Sequence, residues 1–363
     1  MELTVCFFGS YDRGFVRNRI LLKSLRRAGL RVVELRDPTG NMFLRYLRLL
    51  RRLKAVEGFD VLFCGFPSHW DVPLARLASL VKGVPVVFDA FLSLYDSMVY
   101  DRGLVAEGSL TALKLYSWDK VACALSDVVL LDTYQHIRYF VETFREPLEK
   151  FRRVWIGADD DVFYPRKAKR EEGVFKVFFH GSFIPLQGVH HIVKAAKLLK
   201  EERDVLFELV GKGQTFNEAL KLAQSLGLNN LRFLGWVDYH ELPNYLARAD
   251  VCLGIFGDTA KARRVIPNKV YEALAMAKPV VTGDTPAARE ALTHGVNAWL
   301  CKMSDPRAIA EAVLVLKDDE GLRKRLALNG YRLFKERFST EALGRLLKGL
   351  VREVLEGRAS SRL

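Results

Sequence analysis

Half of the 363 residues are hydrophobic, yet no run stays apolar for the roughly 18 residues that a membrane-crossing helix needs. The opening, MELTVCFFGSYDRG, lacks the basic segment and long apolar block of a secretory leader, and it reads as a strand. Cysteine is scarce and odd in number. Cys6, Cys64, Cys123, Cys252 and Cys301 are widely dispersed, most of them inside apolar runs. This pattern excludes a disulfide framework and any zinc-type spacing, and it suits buried thiols in a reducing cytosol. His190 and His191 are adjacent, which is not a helical metal spacing, so no metal site is expected. Acid is the other shortage: 43 Asp and Glu stand against 56 Lys and Arg, a net charge of +13. The imbalance is steepest in residues 1–54, with 13 basic and 4 acidic residues. Such a region faces something anionic: nucleic acid, a membrane surface or a phosphorylated substrate. No recognition motif accompanies the charge, so nucleic acid is not an expected partner.

The chain is long for a single core, and two domains are expected. In the first half, apolar segments near 2–8, 31–35, 61–65, 85–89, 128–132 and 154–156 read as strands separated by helical spacing. A second series lies near 174–180, 205–210, 231–234, 251–255, 279–282 and 298–301. Gly9 and Gly14 flank the turn after the first strand, where ligands bind in open α/β sheets. Residues 42–54 (MFLRYLRLLRRLK) wind into a helix with Met42, Phe43, Tyr46, Leu47, Leu49, Leu50 and Leu53 on one side. Arg45, Arg48, Arg51 and Arg52 fill the other, with Leu44 straying among them. That helix either packs on its own sheet or lies in a membrane interface. The segment after the fourth strand carries Asp96 and Asp101, candidate site carboxylates. Asp132 and His136 follow the fifth strand and serve either the same site or the cap of the next helix.

The most informative stretch is RRVIPNKVYEALAMAKPVVTGDTPAARE, residues 263–290. Asn268 reads as a helix N-cap, 269–277 as a short helix, 279–282 as a strand and Pro286 as the start of a second helix. Two helix N-termini beside a strand end make an anion site. Arg263, Arg264 and Lys269 add charge, and Glu272 could accept hydrogen bonds from a pair of hydroxyls. Cations for phosphate beside an acid for ribose describe a nucleotide-diphosphate pocket.

The run Glu272-Ala-Leu-Ala-Met-Ala-Lys-Pro-Val-Val resembles the donor-binding motif of group 1 glycosyltransferases of the GT-B fold, the retaining, nucleotide-sugar-using class. Ala277 stands where that family usually has Gly. Further segments resemble the family in order: 155–165 with Gly157, Asp159, Phe163 and Pro165; Gly181 onward through Gly188; Leu209-Val-Gly-Lys-Gly213; and 234–245. Three departures accompany them. Phe183 and Gln187 occupy the places of the family's phosphate-contacting Arg and Lys, Arg264 that of an earlier Glu, and Phe91 that of a His.

The resemblance implies a GT-B architecture: two Rossmann-like doubly wound domains facing a central cleft, with a C-terminal helix crossing back to the first. The expected divisions are an acceptor-side domain over 1–165, a linker at 166–173 and a donor domain over 174–338. The returning helix spans 339–355 and a tail 356–363. It implies a metal-independent hexosyltransferase moving sugar from a nucleotide diphosphate sugar to a glycan or lipid-linked acceptor, with no cofactor. Gly14, Gly181, Ser182, Gly211, Arg264, Asn268, Lys269 and Glu272 are the expected donor contacts. The expected location is cytoplasmic, with residues 42–54 as a peripheral contact to an anionic inner membrane face. A non-catalytic nucleotide-sugar binder and a GT-B epimerase or phosphorylase are the alternatives.

Overall fold

Short runs such as VCFF, VLFC and VVLL are apolar at every position, so their strands need cover on both faces, which parallel sheets with flanking helices supply. A computed structural model of the protein, describing residues 3–360 apart from 57 and 170, has this arrangement twice. One compact unit comprises residues 1–156 with 340–363, and the other residues 157–339.

In the first unit the strands are β1 (Thr4–Gly9), β2 (Arg31–Arg36), β3 (Val61–Cys64), β4 (Val86–Phe91), β5 (Val128–Leu131) and β6 (Phe151–Arg153). Between them run α1 (Val16–Arg27), α2 (Met42–Lys54), α3 (Val72–Lys82), α4 (Leu110–Leu125) and α5 (Tyr134–Phe144). The sheet order is β2-β1-β3-β4-β5-β6, all parallel, and the chain reverses direction between β1 and β3. Alternate residues of β1 serve opposite cores. Cys6 and Phe8 pack under α2, α3, α4 and α5, whereas Val5 and Phe7 pack under α1 and the last helix. The sixth strand lies at 151–153 rather than 154–156, because Val129, Leu130 and Leu131 pair with Phe151, Arg152 and Arg153.

The second unit has β7 (Phe175–Gly181), α6 (Val189–Leu198), β8 (Val205–Gly211), α7 (Phe216–Ser225), β9 (Leu231–Gly235) and α8 (Leu242–Arg248). There follow β10 (Val251–Leu253), α9 (Asn268–Ala275), β11 (Val280–Gly283), β12 (Trp299–Cys301), α10 (Pro306–Asp318) and α11 (Glu320–Leu333). Its order is β12-β11-β10-β7-β8-β9, again parallel, with the reversal between β7 and β10. Ligands of doubly wound sheets bind outside the carboxyl ends of the strands at such a reversal.

The chain divides before the expected boundary. Residues 157–165 pack with the second unit, where Phe163 is buried against the Tyr239 ring and Arg166 donates to the Val162 carbonyl. The last helix, α12 (Thr340–Ser360), joins the first unit. Its Leu347, Leu350 and Val351 enter the core beneath α1. The two helices approach closely at Gly344, where a Cβ would lie 2.6 Å from the Ser24 carbonyl oxygen.

The second helix departs from expectation. Its packed side is Arg45, Leu49 and Leu53, while Met42, Phe43, Leu44, Leu47 and Leu50 are exposed. Arg45, placed by periodicity on the solvent side, is buried: its Nε donates to Asp71 Oδ1 at 2.7 Å and a second donor reaches the Thr39 carbonyl. A buried carboxylate at Asp71 draws in the cation, and the apolar side chains turn outward instead.

Candidate functional site

At the carboxyl end of β7 the strand delivers His180, then Gly181 and Ser182, into the region where the sheet order reverses. The segment 263–290 arrives beside it. Pro267 occupies the N-cap position of α9 with extended backbone and no side-chain cap, so Asn268 is the first helical residue and not the cap. Pro fixes a backbone angle suited to a helix start, which explains the one-residue shift. Pro286 does not open a second helix. The chain makes only a single 3-10 turn (Ala288–Glu290), in which the Thr285 hydroxyl accepts from the Ala288 N–H. The site therefore has one helix N-terminus, that of α9.

Two side chains from the start of α9 turn inward. Lys269 and Glu272 are buried, at 5% and 3% exposure. Lys269 Nζ lies 4.9 Å from the Phe179 ring centre. Burial pulls its pKa down to about 7, with Glu272 opposing the shift. Among the described residues, Nζ has no carboxylate within ion-pair distance. His180 Nε2 stands 3.3 Å from Glu272 Oε2. Burial, helped by the nearby Lys269 charge, lowers the His180 pKa to about 3, so the ring is neutral and the contact is not an ion pair. The sequence reading missed His180. Its signal is a polar residue closing the apolar run Val-Phe-Phe immediately before the loop glycine.

The remaining expected contacts divide sharply. Gly181 and Ser182 stand at the β7 end, with Ser182 exposed. Gly211 serves packing: at φ +131°, a Cβ there would lie 1.9 Å from the Gly181 carbonyl oxygen. Arg264 is half-buried and Arg263 exposed, both just before α9. Gly14 belongs to the other unit, is exposed, and gives its N–H to Asp12 Oδ1 at 2.8 Å. Phe183 is fully buried, with φ +44°, and its ring packs on Phe179, Phe216 and Phe233. Gln187 is buried as well. Of the two positions that correspond to a phosphate clamp, Phe183 thus supplies core packing and Gln187 a buried amide beside Gly181, and neither carries charge.

In the first unit, Asp96 and Asp101 bound a π-helical turn (Asp96–Asp101) and both are buried. Asp89 belongs to a buried pair with Arg17. Thr133 caps α5, so Asp132 and His136 are not its cap. They form a buried contact, Nδ1 to Oδ1, of 2.7 Å. A residue that sequence reasoning passed over, His69, is fully buried with Nε2 3.3 Å from Asp119 Oδ1. Asp119 accepts from the Ser93 hydroxyl and from the backbone of Leu94 and Tyr95. Burial raises Asp119 to about 7 against those hydrogen bonds. This network anchors the start of the segment that follows β4.

Residues 161–333 match the family described as glycosyl transferases group 1. Over 352 residues the chain is 24% identical to an uncharacterized glycosyltransferase of Methanocaldococcus jannaschii, covering 94% of this chain and 87% of that protein. It is also 24% identical over 300 residues to the N-acetyl-alpha-D-glucosaminyl L-malate synthase of Bacillus anthracis, with 79% and 73% covered. Among solved structures, Anabaena HepE in complex with UDP and glucose superposes with a TM-score of 0.71 at 16% identity, over 97% of this chain and 100% of that one. Sucrose-phosphate synthase from Thermosynechococcus elongatus gives 0.72 at 16% identity, over 98% and 100%. Residues 161–333 thus resemble the group 1 glycosyl transferases, and the two doubly wound sheets are those of the GT-B fold.

Proposed function

We propose that the protein transfers a hexosyl group from a nucleotide diphosphate sugar to a hydroxyl of a glycan or lipid-linked acceptor, with retention at the anomeric carbon and without a metal. The observation that carries this reading is Lys269, a buried cation at a sheet reversal whose charge Glu272 offsets only in part. A bound diphosphate supplies the missing charge, and Arg263 and Arg264, just before the helix, extend the cationic edge. Glu272, beside neutral His180, is suited to a ribose diol. In the step itself the bond from C1 to the diphosphate oxygen breaks and a bond from C1 to the acceptor oxygen forms. The acceptor proton passes to the departing phosphate, and the nucleoside diphosphate leaves. The contribution of Lys269 is to stabilise the charge that develops on the leaving group, in a site where water screens it little. The reading includes a cytoplasmic enzyme meeting its acceptor at an anionic membrane surface through residues 42–54.

A second reading has its own observation. With Phe183 in the core and an uncharged amide at Gln187, the protein could hold a nucleotide sugar and not turn it over. Thermal unfolding against a panel of uridine, guanosine and adenosine diphosphate sugars separates the two. A ligand at about 100 times its Kd stabilises by about 2.7 kcal/mol. The expected result is a raised midpoint with one donor, release of nucleoside diphosphate on adding acceptor, insensitivity to EDTA, and a product whose anomeric NMR coupling matches the donor. Stabilisation with no turnover for any acceptor favours the binder. No shift with any nucleotide sugar removes the donor site.

A further inference from the structure

The helices on the two faces of the first sheet have different outer surfaces. α2, α3 and α4 connect successive strands from β2 to β5 and pack as neighbours on the core containing Cys6, Phe8, Leu62 and Phe88. Their outward sides carry large apolar residues: five on α2, three on α3 and three on α4. Phe43 is 71% exposed, Leu80 67%, Val81 85% and Leu110 77%. Among these side chains stand the exposed cations Arg48, Arg51, Arg52 and Lys54 of α2, Lys82 of α3, and Lys114 and Lys120 of α4. The carboxylate within the three helices, Asp119, is fully buried. In the opposite layer α12 differs: its Glu341 pairs with Arg345 and its Glu353 with Arg152, so that helix carries charges of both signs.

We infer that the α2–α3–α4 face seats the protein on an anionic lipid bilayer, an inference that deepens the reading of a membrane-delivered acceptor and rests on it. Charge complementarity selects the occupant. Protein–protein interfaces are depleted of lysine, and four of the seven cations here are lysines. Here aliphatic and aromatic side chains are instead interspersed with cations across three neighbouring helices. Long basic side chains around apolar ones match a headgroup layer, where the apolar tips enter the acyl boundary and the cations meet phosphate. The sequence reading identified the second helix alone. The structure adds α3 and α4, and it removes Arg45 from the basic set by burying it against Asp71.

Vesicle co-sedimentation of the full chain tests this, using phosphatidylcholine alone and phosphatidylcholine with about one-third phosphatidylglycerol, at low and high salt. The parent should bind only the anionic vesicles and be released by salt. The double variants F43S/L47S and L80S/V81S should each lower partitioning at least tenfold. L346S, an exposed leucine on α12, should not change it. Titration with free UDP-sugar in solution is run on the same proteins, so that loss of nucleotide binding, which would sink the donor reading, is read separately from loss of vesicle binding. A parent that ignores anionic vesicles overturns the inference, as does sedimentation that survives both apolar variants. It is equally overturned if the parent self-associates in solution and the serine variants do not, since a second copy would then cover the face.

Discussion

Arg17 and Lys269 are both cations withdrawn from water in parallel α/β sheets, and they are held in opposite ways. Arg17 has no exposed surface, and its donors are occupied: Nε and one amino group reach the Asp89 carboxylate at 2.8 to 3.2 Å, and the other amino group reaches the Val154 and Trp155 carbonyls. Burial still raises the Asp89 pKa, although Arg17 pulls it down, so the pair depends on both members staying in place. Lys269 has a ring on one side and Glu272 nearby, and its charge is so poorly compensated that its pKa falls to about 7. A satisfied buried ion pair holds a fold in one arrangement. A poorly compensated buried cation is a standing destabilisation that a ligand of opposite charge would relieve, so the difference sets a scaffold pair apart from a candidate site.

The largest expected effect breaks the satisfied member. Arg17→Met strands Asp89 uncompensated in the core, which should destabilise the protein by about 3–5 kcal/mol. Urea unfolding measures this. Nucleotide affinity of the protein that remains folded should be unchanged. Next in size is the same substitution at the other cation. Lys269→Met should leave the unfolding midpoint level or raise it, because a buried uncompensated charge is removed. Nucleotide diphosphate binding, however, should weaken by about 1.5–3 kcal/mol, the range for a hydrogen bond to a charged group. Calorimetry with UDP reads this. A stability loss at Lys269 as large as that at Arg17 would erase the distinction between them.

A pH series sharpens the comparison further. An unfolded lysine titrates at about 10.4, while Lys269 in the fold titrates at about 7. Between those values the unfolded chain binds a proton that the folded chain does not, so stability of the free protein rises with pH across that window. The cost of the buried charge is present in full below it. Lys269→Met should remove this slope. For the ligand the sign reverses. A diphosphate needs the charged lysine, so affinity should fall above pH 7, by up to about tenfold per unit. Binding near pH 8 should take up a proton, detected by calorimetry in buffers of different ionisation enthalpy.

How much of this was legible beforehand depends on what kind of physical information each feature carries. The strands were readable because a strand covered on both faces is apolar throughout, as in Val-Leu-Phe-Cys of β3. The place of Glu272 and Lys269 at the start of a helix beside a strand was readable because a helix start beside a strand end has its own residue pattern. Arg45 was not, because helical periodicity ranks residues by hydropathy and cannot see that Asp71, 26 positions away, provides a buried partner. His180 escaped for a similar reason: its meaning comes from Glu272, which reaches it only through the sheet order β10-β7. Phe183 was noticed as a departure, but that its ring fills the core follows from the turn geometry and not from its identity.

The smallest expected effect tests strain at the same helix, apart from its charge. α9 ends after Ala275, and Ala277 then takes φ +51°, the left-handed region in which a Cβ crowds the following carbonyl. For an L-residue this costs about 1–2 kcal/mol, whereas glycine adopts it freely. Glycine also gains more freedom on unfolding, which offsets part of the relief. Ala277→Gly should therefore stabilise the protein by about 0.5–1 kcal/mol, a small upward shift in Tm. Because Ala277 lies at the end of the helix remote from Lys269, the affinity for UDP and its pH dependence should stay as they are. A stabilised variant with unaltered affinity would leave the buried charge, and not backbone strain, as the feature that marks the site. If relieving the turn weakens nucleotide binding, α9 is held under tension for function, and Lys269 is only one part of what the unit keeps in reserve for its ligand.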